Sequence, residues 1–178
     1  MIWEDGLMEP LDMLQSYRCP RYLEYPSVPL YKDQVIGFLT QAVAPFYGAE
    51  QTPVTAAMIN NYVKLKVISA PEQKKYSREQ LICLYVIFLL KQVLSIDEIR
   101  QLLRLEFPAE DTQACYDRFC RRLEGELDHL TQGESSLPTD GHPLLEAAIR
   151  SFVCKRYTVV LLEQAAEQGK EETPAAED

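Results

Sequence analysis

Ten consecutive apolar residues, LICLYVIFLL at positions 81–90, constrain the fold more than any other feature of the sequence. Ser77, followed by Glu79 and Gln80, has the pattern of a helix cap directly before this run. The sequence therefore predicts a strongly apolar helix at 78–93. The run falls well short of the roughly 20 residues that span a bilayer, and the acidic N-terminus differs from a basic signal peptide. We expect a cytoplasmic protein with no membrane segment.

Apolar residues at spacings of three and four predict further helices on both sides of this one. Thr52 or Thr55 can cap the helix before it, and Ser95 with Glu98 forms an S-x-x-E capping pattern for the helix after it. Between the first two of these, Pro71 and the sequence EQKKY predict a short β-hairpin at about 66–76. The additional predicted helices lie at about 31–46, 54–65, 95–107, 109–131 and 143–168.

Proline and loop residues divide the chain into four parts. Four prolines exclude a long helix from residues 1–30, which we expect to be an N-terminal extension lying over the fold. Residues 31–106 form the main unit. Residues 107–168 are a helical region interrupted by a loop at 131–142, and they serve either dimerisation or packing within the chain. The acidic tail at 169–178 is expected to be disordered.

Charge is unevenly distributed along the chain. Eighteen Lys and Arg residues against 27 Asp and Glu give a net charge of −9, which argues against indiscriminate coating of nucleic acid. Five of the basic residues but only two of the acidic ones lie at 54–80, so this segment carries +3 and the rest of the chain −12. Any contact with phosphates is therefore expected to be local. The alternative is a solvated charged face without a partner.

The sequence contains no pattern typical of catalysis or of cofactor binding. The five cysteines form no CxxC pair and indicate reduced thiols, and Cys115 and Cys120 lack the further ligands that zinc requires. His129 and His142 have no nucleophile at a fixed spacing. Neither a G-x-G-x-x-G nor a Walker loop occurs, so we expect no enzyme, no metal and no cofactor.

Two stretches without gaps carry a resemblance to a known family. VTAAMINNYVKLKVI at 54–68 resembles the pattern VSxRTIRYYExxGLI of MerR-type transcription regulators, and YSREQLICLYVIFLLKQVLSIDEIRQLL at 76–103 is similar to the helices after their wing. The chain also resembles a bacterial family of unknown function with a MINNYVK and KKYSR core. The resemblance implies a mainly α fold, namely a MerR-like winged helix-turn-helix with a short β-hairpin wing and additional C-terminal helices.

The same resemblance implies a function. MerR-type regulators bind double-stranded DNA as homodimers, with the helix at 54–65 in the major groove. Tyr62 and Lys74 stand where the family has its second tyrosine and its wing arginine, so the resemblance assigns both to DNA contact. Elsewhere the chain departs from the pattern, because Asn60 and Asn61 replace Arg and Tyr, and Lys66 replaces the glycine before the wing.

The residues themselves favour the same helix face. Helical spacing turns one face inward and the opposite, small and polar face outward. The inward residues are Ile59, Tyr62, Val63 and Val67, and the outward ones are Ala57, Asn60, Asn61 and Lys64. Asparagine pairs bidentately with the adenine edge, so adjacent asparagines predict base contact, the alternative being that they cap or solvate the helix. The candidate DNA-binding residues are Asn60, Asn61, Tyr62, Lys64, Lys66, Lys74, Lys75, Tyr76 and Arg78.

Two functions of different classes follow from these observations. The first is a transcription regulator that reads the major groove with the helix at 54–65. The second is a protein-interaction module on a helix-turn-helix scaffold that no longer binds DNA, which the acidic remainder and the short wing permit. Residues 107–168 stand where the family carries effector domains, but the sequence names no small-molecule effector.

Overall fold

The structure is a computed structural model that describes residues 16–47, 52–107 and 111–131. Five further residues are helical, namely Ser151, Cys154, Lys155, Thr158 and Leu162. These parts of the chain are mainly helical, with one two-stranded antiparallel sheet. Predictions for residues 1–15, 132–142 and 169–178, and for most of the helix at 143–168, lie outside the described residues.

Five α-helices and two short strands follow one another in the described chain. They are β1 (Leu30–Tyr31), α1 (Lys32–Val43), α2 (Ala56–Lys64), β2 (Lys75–Tyr76), α3 (Arg78–Leu90), α4 (Ile96–Glu106) and α5 (Thr112–Thr131). Short 3-10 turns occur at Tyr22–Glu24 and Ala44–Phe46. The helices predicted between residues 31 and 131 are confirmed, with their ends displaced by a few residues.

Helix α3 forms the centre of the fold, and it packs against α1 and α4. Its apolar residues are buried around the whole circumference of the helix, as expected for a helix without a polar face. The predicted cap is present, since the Gln80 backbone N–H donates to Ser77 Oγ (3.3 Å) and the Ser77 N–H donates to Gln80 Oε1 (2.8 Å). Among the described residues no helix is both long and apolar enough to cross a membrane.

The segment before β1 belongs to the core. Tyr17 and Tyr25 are buried, and the Tyr25 hydroxyl is hydrogen-bonded to the hydroxyl of Tyr116 on α5 (2.8 Å). One hydrophobic cluster joins this segment, α3 and α5. The boundaries predicted at residues 30 and 106 therefore cross a continuous core, because the aromatic residues between the N-terminal prolines pack inward.

The hairpin predicted at 66–76 is present only as an isolated antiparallel bridge between Glu72 and Lys75, and its predicted strand pairing is wrong. Strand β2 pairs with β1, in the register Leu30 to Tyr76 and Tyr31 to Lys75. Ile68, which lies where the other strand of the hairpin was expected, is buried in the core. Local β-propensity identified the return strand but not its partner, because the partner lies far away in sequence. A tight turn directly precedes β2, and the two-stranded sheet with this turn stands where the sequence predicted the wing.

The connection between α1 and α2 is the second difference from the expected fold. The two helices pack against each other, but residues 44–55 separate them, whereas a helix-turn-helix unit has a turn of about three or four residues. The mainly α part of the predicted fold class is therefore confirmed. Its winged helix-turn-helix part stays a prediction.

Candidate nucleic-acid interface

Helix α2 is held in one orientation by its cap and by its buried face. Thr55 Oγ1 accepts a hydrogen bond from the Met58 N–H (3.2 Å), which satisfies one of the free donors at the helix start. Ile59 and Tyr62 are buried, and the Tyr62 ring lies edge-on against Phe88 of α3 at 5.6 Å between centroids. This packing fixes which side of α2 faces outward.

The outward face of α2 carries the residues that the sequence placed there. Ala57, Asn60, Asn61 and Lys64 are all exposed. The Asn61 side chain makes no hydrogen bond to any described residue, so its amide is open to an incoming partner. The Asn60 amide oxygen accepts a hydrogen bond from Lys32 Nζ (2.5 Å). The two asparagines therefore differ, since only Asn60 is oriented by a neighbouring side chain.

Lys32 connects this face to the two-stranded sheet. It begins α1 directly after Tyr31, and the ring of Tyr31 lies beneath Lys75 Nζ, 4.9 Å from its centroid. A continuous path of polar and cationic groups thus runs from Asn60 on α2 to Lys75 on β2. Together with the exposed lysines nearby, we call this surface the basic strip; it comprises Lys32, Asn60, Asn61, Lys64, Lys66, Lys74 and Lys75.

Sequence reasoning missed Lys32. In sequence this residue lies outside the basic segment at 54–80, and only the pairing of β1 with β2 brings it beside that segment. The sequence shows only that Tyr31 and Lys32 stand at the start of a predicted helix. It does not show which part of the fold lies beside that end of the helix. Lys32 therefore adds a sixth cation to the five that the sequence singled out.

Left-handed backbone conformations are concentrated in the basic strip. Among the described residues, those other than glycine with positive φ are Lys66 (56°), Gln73 (48°) and Lys74 (65°). Gln73 and Lys74 form the two-residue turn that the Lys75 N–H closes onto the Glu72 carbonyl at 2.8 Å, as in a type I′ turn. A side chain with a Cβ is disfavoured there by about 1–2 kcal/mol, so lysine occupies two positions that glycine would fill more easily.

The lysines of the basic strip have no acidic partners within the described chain. All four ion pairs found there use arginines, namely Arg18 with Asp128, Arg21 with Glu124, Arg100 with Asp97 and Arg118 with Glu106. No described carboxylate lies within 4.0 Å of the ammonium groups of the strip. Their positive charge is therefore available to an anionic partner.

Three of the predicted contact residues occupy other places. The side chains of Tyr62 and Tyr76 are 6% and 1% exposed, so their assignment to DNA contact is corrected, because both rings are part of the core. Arg78 is half-buried; its Nε donates to the Tyr25 carbonyl (3.2 Å), and its guanidinium lies 4.9 Å from the centre of the Tyr22 ring. These three side chains pack beneath the basic strip and support it from the side of the core.

Two side chains support the C-terminal end of α2. Arg100 on α4 donates from Nη2 to the carbonyl of Leu65, the residue that ends the helix (2.8 Å). Gln80 on α3 donates from Nε2 to the carbonyl of Ser69 in the following loop (3.0 Å). The end of α2 and the segment carrying Lys66 are therefore tied to α3 and α4.

Outside the strip, an open cavity of about 710 Å³ lies between the C-terminal end of α3 and α5. Its apolar lining includes Phe46, Leu89 and Phe119, and Arg121 and Arg122 contribute charge. The described residues contain no group of three or more His, Cys, Asp or Glu side chains placed to hold a metal ion.

A family model for a domain of unknown function, DUF1836, matches residues 20–119. This range contains all elements from β1 to α4 and the first turns of α5. The chain belongs to this family. No curated protein and no solved structure matches it. The predicted membership of a family of unknown function is thus confirmed in that coarse form, and the likeness to MerR-type regulators rests on the sequence patterns alone.

Proposed function

We propose that this DUF1836 protein is a DNA-binding transcription regulator that places α2 in the major groove of double-stranded DNA. The proposal is carried by the exposure of Asn60, Asn61 and Lys64 on one face of a helix whose other face is locked into the core. The resemblance of residues 54–68 and 76–103 to MerR-type regulators supports it independently of that geometry.

The dimensions of α2 suit the groove. An α-helix with its side chains is about 10–12 Å in diameter, and the major groove of B-DNA is about 12 Å wide, so the nine residues of α2 fit into it. Asn61, whose side chain is open, is the principal base-reading residue in this proposal. Asn60 is a second reader, and Lys32 keeps its carbonyl oxygen engaged so that its NH₂ group points outward as a donor.

The remaining residues of the basic strip contact the phosphate backbone. Lys64 and Lys66 lie at the end of α2, and Lys74 and Lys75 lie on the turn and strand beside it. Phosphate contacts of this kind fix the register of a protein on the duplex without reading bases. The strain of lysine at two left-handed positions suggests that their charge is used, since strained backbone is concentrated at functional sites.

Two-fold symmetry completes the proposed mode of binding. One α2 helix reads only a few base pairs, and regulators of this type gain affinity and specificity by pairing two copies over a palindromic site. Helix α5 carries exposed residues along its outer side and is the proposed element of a homodimer contact. An antiparallel pairing of α5 with its copy places the two α2 helices on separate half-sites.

Selection of bound sequences from a random duplex library tests the base-reading role. We expect one enriched motif with two-fold symmetry. On that motif Asn61→Ala should bind about 10- to 100-fold more weakly, the discrimination that one bidentate contact provides, while binding to unselected DNA changes little. Gln113→Ala, which removes an exposed amide on α5, is the matched control. Absence of an enriched motif, or equal binding by Asn61→Ala, contradicts the proposal.

One observation favours the second candidate, a protein-interaction module. Leu23 and Val28 are 75% and 65% exposed, and both lie in the segment that leads into β1, beside the two-stranded sheet. Large exposed apolar side chains are typical of protein contact surfaces when they are grouped. A folded protein that shows no affinity for duplex DNA at low salt would favour this function over DNA binding.

A further inference from the structure

A pair of thiols lies in the core where the N-terminal segment meets α5. Cys19 and Cys120 are 2% and 0% exposed, both belong to the same hydrophobic core cluster, and each lies close enough to the other to shift its pKa. The hydroxyl of Tyr85, on α3, is hydrogen-bonded to the hydroxyl of Tyr17 and lies close enough to Cys19 to lower the pKa of its thiol. The other cysteines differ, because Cys154 is exposed and none of them makes a described contact with a second thiol.

Glu124 brings the two cysteines together. Its Oε1 accepts a hydrogen bond from the backbone N–H of Cys19 (2.8 Å), and its Oε2 pairs with Arg21 Nη2 (2.8 Å). Glu124 lies one helical turn after Cys120, so both occupy the same face of α5. The two contacts of Glu124 that hold the N-terminal segment therefore place Cys19 beside Cys120.

We propose that Cys19 and Cys120 form a reversible disulfide when the protein encounters a hydroperoxide, which covalently links the N-terminal segment to α5. The sequence indicated only reduced thiols without a pair, because the two residues lie far apart in the chain and on elements whose contact no local pattern predicts. The proposal is independent of DNA binding.

The environments of the two sulfurs shift their pKa values in opposite directions. The interaction with Cys120 lowers the pKa of Cys19, and the interaction with Tyr85 lowers it further against the opposing effect of burial. The interaction with Cys19 and burial raise the pKa of Cys120. Cys19 lies on a segment without helix or strand structure, whereas Cys120 lies within α5, so local opening exposes Cys19 first. Because the thiolate is the nucleophile, Cys19 is the attacking residue and Cys120 is the resolving one.

The chemistry balances with hydrogen peroxide as the oxidant. The Cys19 thiolate attacks one peroxide oxygen, the O–O bond breaks, and hydroxide leaves and is protonated to water, which gives a sulfenic acid. The Cys120 sulfur then attacks the Cys19 sulfur, the S–O bond breaks, and a second water leaves as the S–S bond forms. Two thiols are oxidised by two electrons, the peroxide is reduced, and the thiol protons end in water.

Burial makes this reaction slow and conditional. Residues 16–21 have no helix or strand structure and are held by side-chain contacts such as that of Glu124, so local opening of the segment is the route by which peroxide reaches Cys19. The exposed Cys154 should react earlier. Once formed, the disulfide closes a loop of about a hundred residues and should raise the thermal midpoint by about 5 °C or more.

Tryptic mapping of the full-length protein tests the proposal. Cleavage at the flanking arginines releases Cys19 within the tripeptide CPR and Cys120 within FCR, and the cleavage site at Arg118 separates Cys115 from both. After treatment with hydrogen peroxide and quenching with N-ethylmaleimide, we expect the two tripeptides joined and lighter by two hydrogen atoms. Dithiothreitol should separate them and restore the original thermal midpoint.

Two variants provide the controls. Cys115→Ser removes a buried thiol on the same helix and should leave the linked tripeptides unchanged. Cys120→Ser should leave Cys19 as a sulfenic acid that dimedone traps; if this variant does not fold, the mapping of the wild-type protein decides alone. Recovery of both tripeptides as separate maleimide adducts, under conditions in which Cys154 is oxidised, overturns the proposal.

Discussion

Lys66 has a left-handed backbone conformation directly after the end of α2. The Lys66 N–H donates to the Val63 carbonyl (3.0 Å) and the Val67 N–H to the Tyr62 carbonyl (2.9 Å), which is the hydrogen-bond pattern of a Schellman motif with Lys66 at its left-handed position. Glycine is usual there, and the MerR-type pattern has it. In the proposed function the ammonium group of Lys66 contacts a phosphate, which gives a reason for lysine at a position that favours glycine.

Lys66→Gly should separate stability from binding. Relief of the left-handed strain is expected to raise the free energy of unfolding by about 1 kcal/mol, less a few tenths lost to the flexibility of glycine in the unfolded chain. Loss of a phosphate contact should at the same time weaken DNA binding several-fold. Urea denaturation and fluorescence anisotropy measure the two effects. A variant that is more stable and binds DNA unchanged removes Lys66 from the interface.

At the scale of elements, the sequence predicted what is local. The helices from α1 to α5 follow from apolar spacing, and the caps at Ser77 and Ser95 follow from side chains three residues apart, so both can be recognised in one short stretch. The partner of β2, the inward packing of Tyr25 and the approach of Lys32 to Asn60 could not be predicted, because each depends on contacts between residues far apart in sequence.

For the candidate site, too, only the features that depend on local sequence could be predicted. The exposed face of α2 follows from helical periodicity, and its composition was correct. Tyr62 was assigned to DNA by analogy with an aligned position, although the same periodicity turns it inward. Tyr76 was a further candidate contact, and the structure buries both. The physical reason is that an alignment transfers a position but not the packing around it, and here α3 offers an aromatic partner, Phe88, directly behind α2.

Arg100 tests how α4 supports α2. Arg100→Met keeps the aliphatic stem but removes the hydrogen bond to the Leu65 carbonyl and the ion pair with Asp97 (2.7 Å). The side chain is 33% exposed, so solvent screening limits the loss, and we expect the free energy of unfolding to fall by about 1 kcal/mol. Arg104→Met, at an exposed position of the same helix, is the control in chemical denaturation. Equal effects of the two substitutions contradict the supporting role.

At the scale of the whole molecule, charge separation is the feature that connects structure to function. A chain with a net charge of −9 is repelled by DNA on most of its surface. The basic strip is the exception, since its lysines gather on α2, the start of α1 and the turn before β2 without described acidic partners. In the proposed function, this polarity orients the molecule as it approaches DNA and limits phosphate contact to one face.

The salt dependence of DNA binding tests this account most directly. Affinity measured by anisotropy should fall linearly in a double-logarithmic plot against salt concentration, and the slope should become shallower by about 0.9 for each phosphate contact removed. Lys64→Gln with Lys75→Gln should reduce the slope accordingly. Arg121→Gln with Arg122→Gln, the same change of charge on α5, should leave it unchanged. Affinity independent of salt, or equal slopes for the two double variants, would contradict the assignment of the basic strip to DNA.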